Sequence, residues 1–330
     1  MLTIRRMEIS CDKLYKQAHI RGFLHLYDGQ EAVAVGHDAA VNNKEDCFIG
    51  AYRIHGWAYL RGFSVKEIIA EMMGKYTGAS DGKGGSMHYY KKATQFYGGH
   101  GIVGDQASCV VGLAFGKKFL GHKGIATGSF GDGGANQGQM AEGMNMAKLW
   151  NLPVVYLLEN NLYAMGTSTI RAANNTDFYK RYDKIPGLRV DGFNVLAVRE
   201  TMKFAKKFAQ KNGPIFIEAM TYRYHGHSMS DPGVSYRSRE EIMGVRKDFD
   251  CITQLKKMIL DNKLLSEEEV KKLEAEAKKT VDDAASAAMK DDEPPLSELY
   301  TDITNDPVGS STNFSIFYKT LSSFHSSPQL

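Results

Sequence analysis

Cysteine is scarce and scattered: Cys11, Cys47, Cys109 and Cys251 are the only four in 330 residues, and no two form a CxxC pair. That argues against a disulfide framework or a cysteine-rich zinc site and fits a reducing compartment. Charge of one sign is also missing. The 41 basic and 38 acidic residues leave a net +3, which gives no electrostatic footprint for nucleic acid or an anionic membrane. No apolar run approaches the roughly 20 residues that a membrane span takes. The first ten residues, MLTIRRMEIS, hold no hydrophobic signal region and no clear transit peptide. What remains is ordinary: 43% hydrophobic and 24% charged residues, enough for a large core in one or two domains.

The stretch 127–168 organises the rest. Residues 125–130 form a short apolar run that stops at Gly131-Asp132-Gly133-Gly134. Apolar residues then recur at helical spacing from 137 to 150, and 153–158 is a second buried-looking strand followed by Glu159-Asn160-Asn161. Strand, glycine turn, helix, strand is a βαβ unit of a parallel sheet. Ligands in such sheets sit beyond the carboxyl ends of the strands. Asp132 and Asn161, 29 residues apart, both fall there. A carboxylate and an amide at adjacent strand ends suit magnesium, which takes oxygen ligands and shares them with phosphates. Gly131, Gly133 and Gly134 let backbone approach a phosphate, and the next helix offers its N-terminus. The spacing predicts a magnesium–diphosphate site.

Around this unit, residues 4–20 read as an amphipathic helix and 31–41 as a small-residue helix, with His25 in the loop between. Residues 48–53 read as a strand ending at Tyr52-Arg53, and an arginine there can fork onto a diphosphate or carboxylate. Ser64 with Glu67 is a capping box that opens a helix through Met73. Nine glycines in the 31 residues 74–104 predict one long loop. A helix is expected over 106–120 and a polar segment with a short helix near Phe178 over 169–183. A strand region is expected over 188–191 and 194–198, then a helix over 201–211 and a buried strand over 214–222. Two charged helices follow at 240–262 and 266–290, the second opened by a capping box of Ser266 and Glu269. The alternation predicts an α/β fold: a doubly wound, mostly parallel sheet with helices on both faces and helical extensions. It forms a single domain over 1–300, with an irregular tail over 301–330. His225 and His227 have no third ligand nearby and do not read as a metal pair.

GDG followed at this interval by NN resembles the thiamine diphosphate fingerprint. GDGGANQGQ, LPVVYLLENN, IPGLRVDG and TYRYHGHSMSDPGVSYR resemble the alpha subunits of the decarboxylating component of pyruvate dehydrogenase, from Arg5 to about Tyr300. The resemblance implies oxidative decarboxylation of pyruvate, with thiamine diphosphate as electron sink, and acetyl transfer to a lipoyl group of an acyltransferase component. It implies Asp132, Asn161 and the carbonyl of Tyr163 as magnesium ligands. Cofactor contacts would come from Tyr52, Arg53, Gly101, Val103, Asp132, Gly133, Gly134, Asn161, Tyr163 and His227, with His25 and His227 catalytic. Ser168, Ser228 and Ser235 match positions at which such proteins are switched off by phosphorylation, so a regulatory kinase and phosphatase are implied. The family's cofactor-activating glutamate lies on a second α/β domain, which implies a beta subunit and an α2β2 assembly. The mitochondrial matrix is the implied location. A branched-chain 2-oxo acid or acetoin dehydrogenase alpha subunit is the nearer alternative, and the RYHGHSMSDPG loop argues against it. A degenerate, non-catalytic subunit is the other. Its support is departure from the pattern, at Leu162 and Ala164, with His100 and Asp105 also unusual and extra residues near 93–95. Ala164 is expected to need a positive φ if the usual glycine does.

Overall fold

The computed structural model describes residues 1–302. It divides into a unit Met1–Asp292 and a second unit that begins at Glu293, whose described part holds one 3-10 turn, Leu296–Tyr300. Helix α1 (Leu2–Lys16) and helix α2 (Glu31–Asp38) lead into strand β1 (Cys47–Ala51). Helices α3 (His55–Leu60) and α4 (Val65–Met72) precede strand β2 (Phe96–His100). The central unit is α5 (Gln106–Phe119), β3 (Ala126–Gly131), α6 (Gly138–Leu149) and β4 (Val154–Asn160). A small hairpin, β5 (Tyr163–Ala164) and β6 (Thr167–Ser168), and the turn α7 (Thr169–Ala172) come next. Then follow β7 (Gly187–Asp191), α8 (Val195–Asn212), β8 (Ile215–Met220), α9 (Arg239–Phe249), α10 (Cys251–Asp261) and α11 (Glu267–Ala288).

Among the described residues six strands form one sheet in the order β2-β1-β3-β4-β8-β7, all neighbours parallel. Parallel strands buried on both faces are near-continuously apolar, and β4 shows it. Val154, Tyr156 and Leu158 join a core with α5 and α6 (Val110, Met140, Met144), whereas Val155 and Leu157 join the opposite core with α1, α4, α8 and α11 (Met7, Ile68, Met202, Val281). The chain runs outward from β1 to β2, then returns to lay β3 on the other side of β1. That reversal makes the β1/β3 boundary the topological switch point, where a crevice opens beyond the strand ends. The expected α/β architecture is therefore present.

Several local expectations are corrected. The long loop over 74–104 contains the edge strand β2. Its glycines are part of the strand: the β1–β2 register slips by one residue at Gly98, which has φ 87, and a Cβ on Gly99 would lie 2.4 Å from the Met87 carbonyl oxygen. A glycine bulge and a close backbone approach explain a strand that composition hides. Residues 194–198 are not strand but the start of α8. Asn194 caps it, its Oδ1 accepting from the Leu196 and Ala197 amides at 3.1 Å each. The short apolar run VLAV has no period that separates the two states. The span 240–262 is two helices, parted at Asp250, which caps the second through the Thr253 amide. Ala164 sits in the extended hairpin; the positive φ values are at Leu162 (72) and Met165 (54). The expected capping boxes at Ser64 and Ser266 are both formed.

Candidate active site

A cavity of about 280 Å³ lies over the carboxyl ends of β1, β3 and β4. Nine expected residues line it: Tyr52, Arg53, Val103, Asp132, Gly133, Gly134, Asn161, Tyr163 and His227. Each follows from its strand. Tyr52-Arg53 continues β1, Asp132 continues β3, and Asn161 continues β4, whose Glu159 pairs in register with Gly131. His25 is not in the lining but stacks behind it, its ring centroid 4.4 Å from Tyr52 and 5.2 Å from His227. Gly101 is exposed on the loop after β2 and does not line the cavity.

The turn after β3 is helical rather than left-handed: Gly133 has φ −62 and leads into a 3-10 turn. Glycine is needed there for space, since a Cβ on Gly133 would lie 2.9 Å from Ala164 Cβ, whereas one on Gly131 would meet nothing within 4 Å. Backbone and open volume at the strand end leave room for a phosphate-sized anion.

Oxygen donors converge beside this turn. Asn161 Oδ1 and the Tyr163 carbonyl both accept from Arg223 Nη1, at 2.8 and 2.5 Å. The same guanidinium donates from Nη2 to the Met165 carbonyl at 2.7 Å and the Tyr236 hydroxyl at 2.9 Å. Asp132 is buried, and its Oδ2 has no hydrogen-bond partner. Burial is the main cause of its carboxyl being pushed up to about 6, offset in part by its own backbone amide and by Arg223. A buried carboxylate with one oxygen unpartnered, beside two oxygens already gathered around a guanidinium, is a donor set that fits a hard divalent ion.

Arg53 is placed differently from the expectation of a fork onto a ligand. Its guanidinium donates to the Leu26 carbonyl at 2.5 Å and the His227 carbonyl at 2.9 Å. It therefore ties the His25 loop to the His227 loop while lending positive charge to the cavity. Both imidazoles are held neutral. His25 is pushed down to about 2 and His227 to about 4, in each case by burial first and then by Arg53. A bound diphosphate or carboxylate would oppose both shifts by favouring the imidazolium. His225 points elsewhere, its Nδ1 2.8 Å from Asp28 Oδ2.

Among the lining residues that sequence reasoning missed, Gln30, Glu159 and Arg223 carry polar contacts into the site. Glu159 accepts from the Tyr27 hydroxyl, from Ser129 Oγ at 2.7 Å and from Gln30 Nε2 at 3.4 Å. Gln30 Oε1 in turn accepts from Asn161 Nδ2 at 3.0 Å. This relay fixes which way the Asn161 amide faces, so that Oδ1 is turned to the Arg223 guanidinium. The readable signal was a glutamate inside the apolar run VVYLLENN, because a buried charge requires partners. Of the two lining carboxylates, Glu159 is thereby committed to three donors, whereas Asp132 keeps one oxygen unpartnered.

The three serines lie in different settings. Ser228 is buried with Oγ 2.8 Å from Ser230 Oγ, Ser168 is half-buried at the end of β6, and Ser235 is exposed. The loop carrying Ser228 is held by Asp231, which accepts from the His227 amide at 2.7 Å and the Tyr236 hydroxyl at 2.5 Å. Arg237 is spent on the Arg223 and His225 carbonyls at 2.8 and 2.7 Å.

A family model described as the dehydrogenase E1 component matches residues 1–297. The chain is 52% identical over 303 residues to a pyruvate dehydrogenase E1 component subunit alpha, mitochondrial, of Solanum tuberosum, covering 92% of this chain and 77% of that protein. It is 54% identical over 309 residues to the somatic form of Bos taurus, covering 93% and 78%. To the testis-specific form of Homo sapiens it is 55% identical over 300 residues, covering 91% and 76%.

Proposed function

The chain belongs to the dehydrogenase E1 component family, and from that premise we propose that it is the alpha subunit of the decarboxylating component of pyruvate dehydrogenase. It takes part in the thiamine diphosphate-dependent oxidative decarboxylation of pyruvate. The acetyl group passes to a lipoyl group of an acyltransferase component and feeds acetyl-CoA formation, in the mitochondrial matrix. The observation that carries the reading is the convergence of Asn161 Oδ1 and the Tyr163 carbonyl on the Arg223 guanidinium, beside the unpartnered Asp132 Oδ2, at the switch point of the sheet.

In this reading Asp132, Asn161 and the Tyr163 carbonyl would hold magnesium, which would supply positive charge for a diphosphate. Thiamine diphosphate, when bound, supplies the electron sink that decarboxylation of a 2-oxo acid requires. The chain's own residues position and shield. Gly133 and Gly134 leave room for the diphosphate, Arg223 and Arg53 lend it positive charge, and Val103 grips the pyrimidine side through its backbone. Tyr52 packs its ring against both imidazoles, which also meet each other edge-on. His25 and His227 enter neutral and can accept a proton at a ring nitrogen once anions are bound, which suits a site that binds a carboxylate and releases carbon dioxide.

Neither lining carboxylate is free to activate the cofactor, so that group comes from a beta subunit in an α2β2 assembly with the site between chains. A kinase and phosphatase acting on Ser168, Ser228 and Ser235 would regulate it. The test is turnover of the purified chain with thiamine diphosphate, magnesium and pyruvate, before and after addition of the cognate beta subunit. We expect none before and full turnover after. Turnover by the isolated chain would refute the shared site, and an assembled enzyme inert on pyruvate but active on branched 2-oxo acids would refute the substrate.

A further inference from the structure

We propose that His100, Asp105 and Cys109 form a site for a zinc-class transition-metal ion that clamps the loop between β2 and α5 at the mouth of the cavity. His100 closes β2, Asp105 is the N-cap of α5, and Cys109 lies one turn into that helix. A ring nitrogen, a carboxylate oxygen and the thiol sulfur from these residues lie within 4.8 Å of one another. His100 Nδ1 is 2.6 Å from Asp105 Oδ2, while Asp105 Oδ1 is buried without a partner. Asp105 and Cys109 are spaced i, i+4, which puts both side chains on one helical face. Cys109 is also the one cysteine of the four that is not buried.

The donor chemistry selects the ion. Mixed imidazole, carboxylate and thiolate ligands suit zinc, whereas magnesium and calcium take oxygen. One carboxylate and one thiolate balance the two positive charges, with the imidazole neutral. Tetrahedral zinc, with bonds of about 2.0 to 2.3 Å, would need these side chains to move by roughly 1 Å and would keep its fourth position for water. On binding, the Cys109 thiol gives its proton to solvent. The free thiol is held in the protonated form by burial and by Asp105, so affinity rises with pH.

The consequence falls on the active site. The three ligands straddle residues 101–104, and Val103 and Gly104 line the cavity. A metal would pin both ends of a loop whose tip, Ile102, is 70% exposed. This clamp is separate from the proposed oxygen-lined cation site at Asp132.

Cobalt(II) titration of the full-length chain, with magnesium in excess, tests it. The expected result is a thiolate-to-cobalt charge-transfer band that saturates at one equivalent and is displaced by zinc. It should vanish in Cys109→Ser and need at least tenfold more cobalt in His100→Asn, on the order of a single-ligand loss. Hydrogen exchange at residues 101–104 should slow on zinc addition in the unsubstituted chain alone. Circular dichroism checks that both variants fold, since both positions are half-buried. No band, a band that survives Cys109→Ser, or equal affinity in His100→Asn would overturn the proposal.

Discussion

Asp132→Asn should make the metal-free chain more stable at neutral pH while destroying its use as a cation ligand. The carboxyl is 2% exposed and one of its oxygens has no partner. Burial pushes it from the ordinary 3.8 up to about 6 in the folded chain. Between those values the folded state holds a proton that the unfolded state has released, so stability falls as pH rises through the interval. Above about 6 the full penalty is present, roughly 3 kcal/mol at 1.36 kcal/mol per tenfold. An asparagine of the same shape carries no charge to desolvate. The variant should therefore gain up to about 3 kcal/mol at pH 7.5, or a rise of roughly 4 to 6 °C in Tm for a chain of this size. About half that gain should remain at pH 5. Saturating magnesium and thiamine diphosphate should reverse the order, because only the carboxylate is compensated by the metal. The assay is thermal melting of both proteins with chelator at the two pH values, then with ligands. A variant that melts at or below the unsubstituted chain at pH 7.5 in chelator, or shows the same difference at both pH values, would refute the reasoning.

Gln30→Leu should leave Asn161 Nδ2 and Glu159 without a shared partner, at a stability cost of about 1 to 3 kcal/mol. With the amide no longer fixed, cofactor affinity should fall about 10- to 100-fold; unchanged affinity would remove Gln30 as a positioning residue. Ser228→Ala should stay active in the assembled enzyme and Ser228→Glu should lose most turnover. A phosphate at Ser228 brings a charge of about −1.5 to −2 into a buried position whose neighbouring guanidiniums, Arg53, Arg223 and Arg237, already serve carbonyls. Equal, near-normal activity in the two variants would end the regulatory reading.

The architecture was legible because its signals are local. Helical spacing in α6, the apolar run of β4 and the glycines between them need no tertiary information, and they put Asp132 and Asn161 at strand ends. What failed has both tertiary and local causes. Gly98 and Gly99 look like loop residues because their role, a bulge and a close approach to Met87, exists only once β2 lies beside β1. The start of α8 reads as strand because four apolar residues carry no period. At the site, residue types and spacing put Asp132 and Asn161 at the strand ends but did not show what orients them. Gln30 lies 131 positions before Asn161 and Arg223 62 after it, and no motif announces side chains that act across such distances. At the departures Leu162 and Ala164 the positive φ falls on Leu162, and the Tyr163 carbonyl between them accepts from Arg223 Nη1.

The central claim is that oxygens at the ends of β3 and β4 bind thiamine diphosphate through a divalent cation. Calorimetric titration of the cofactor into the chain assembled with its beta partner measures this most directly, with and without magnesium, for the unsubstituted protein and for Asp132→Ala. Binding should depend on magnesium and collapse in the variant while its circular dichroism spectrum stays native. Normal affinity of Asp132→Ala for the cofactor at limiting magnesium would contradict the account.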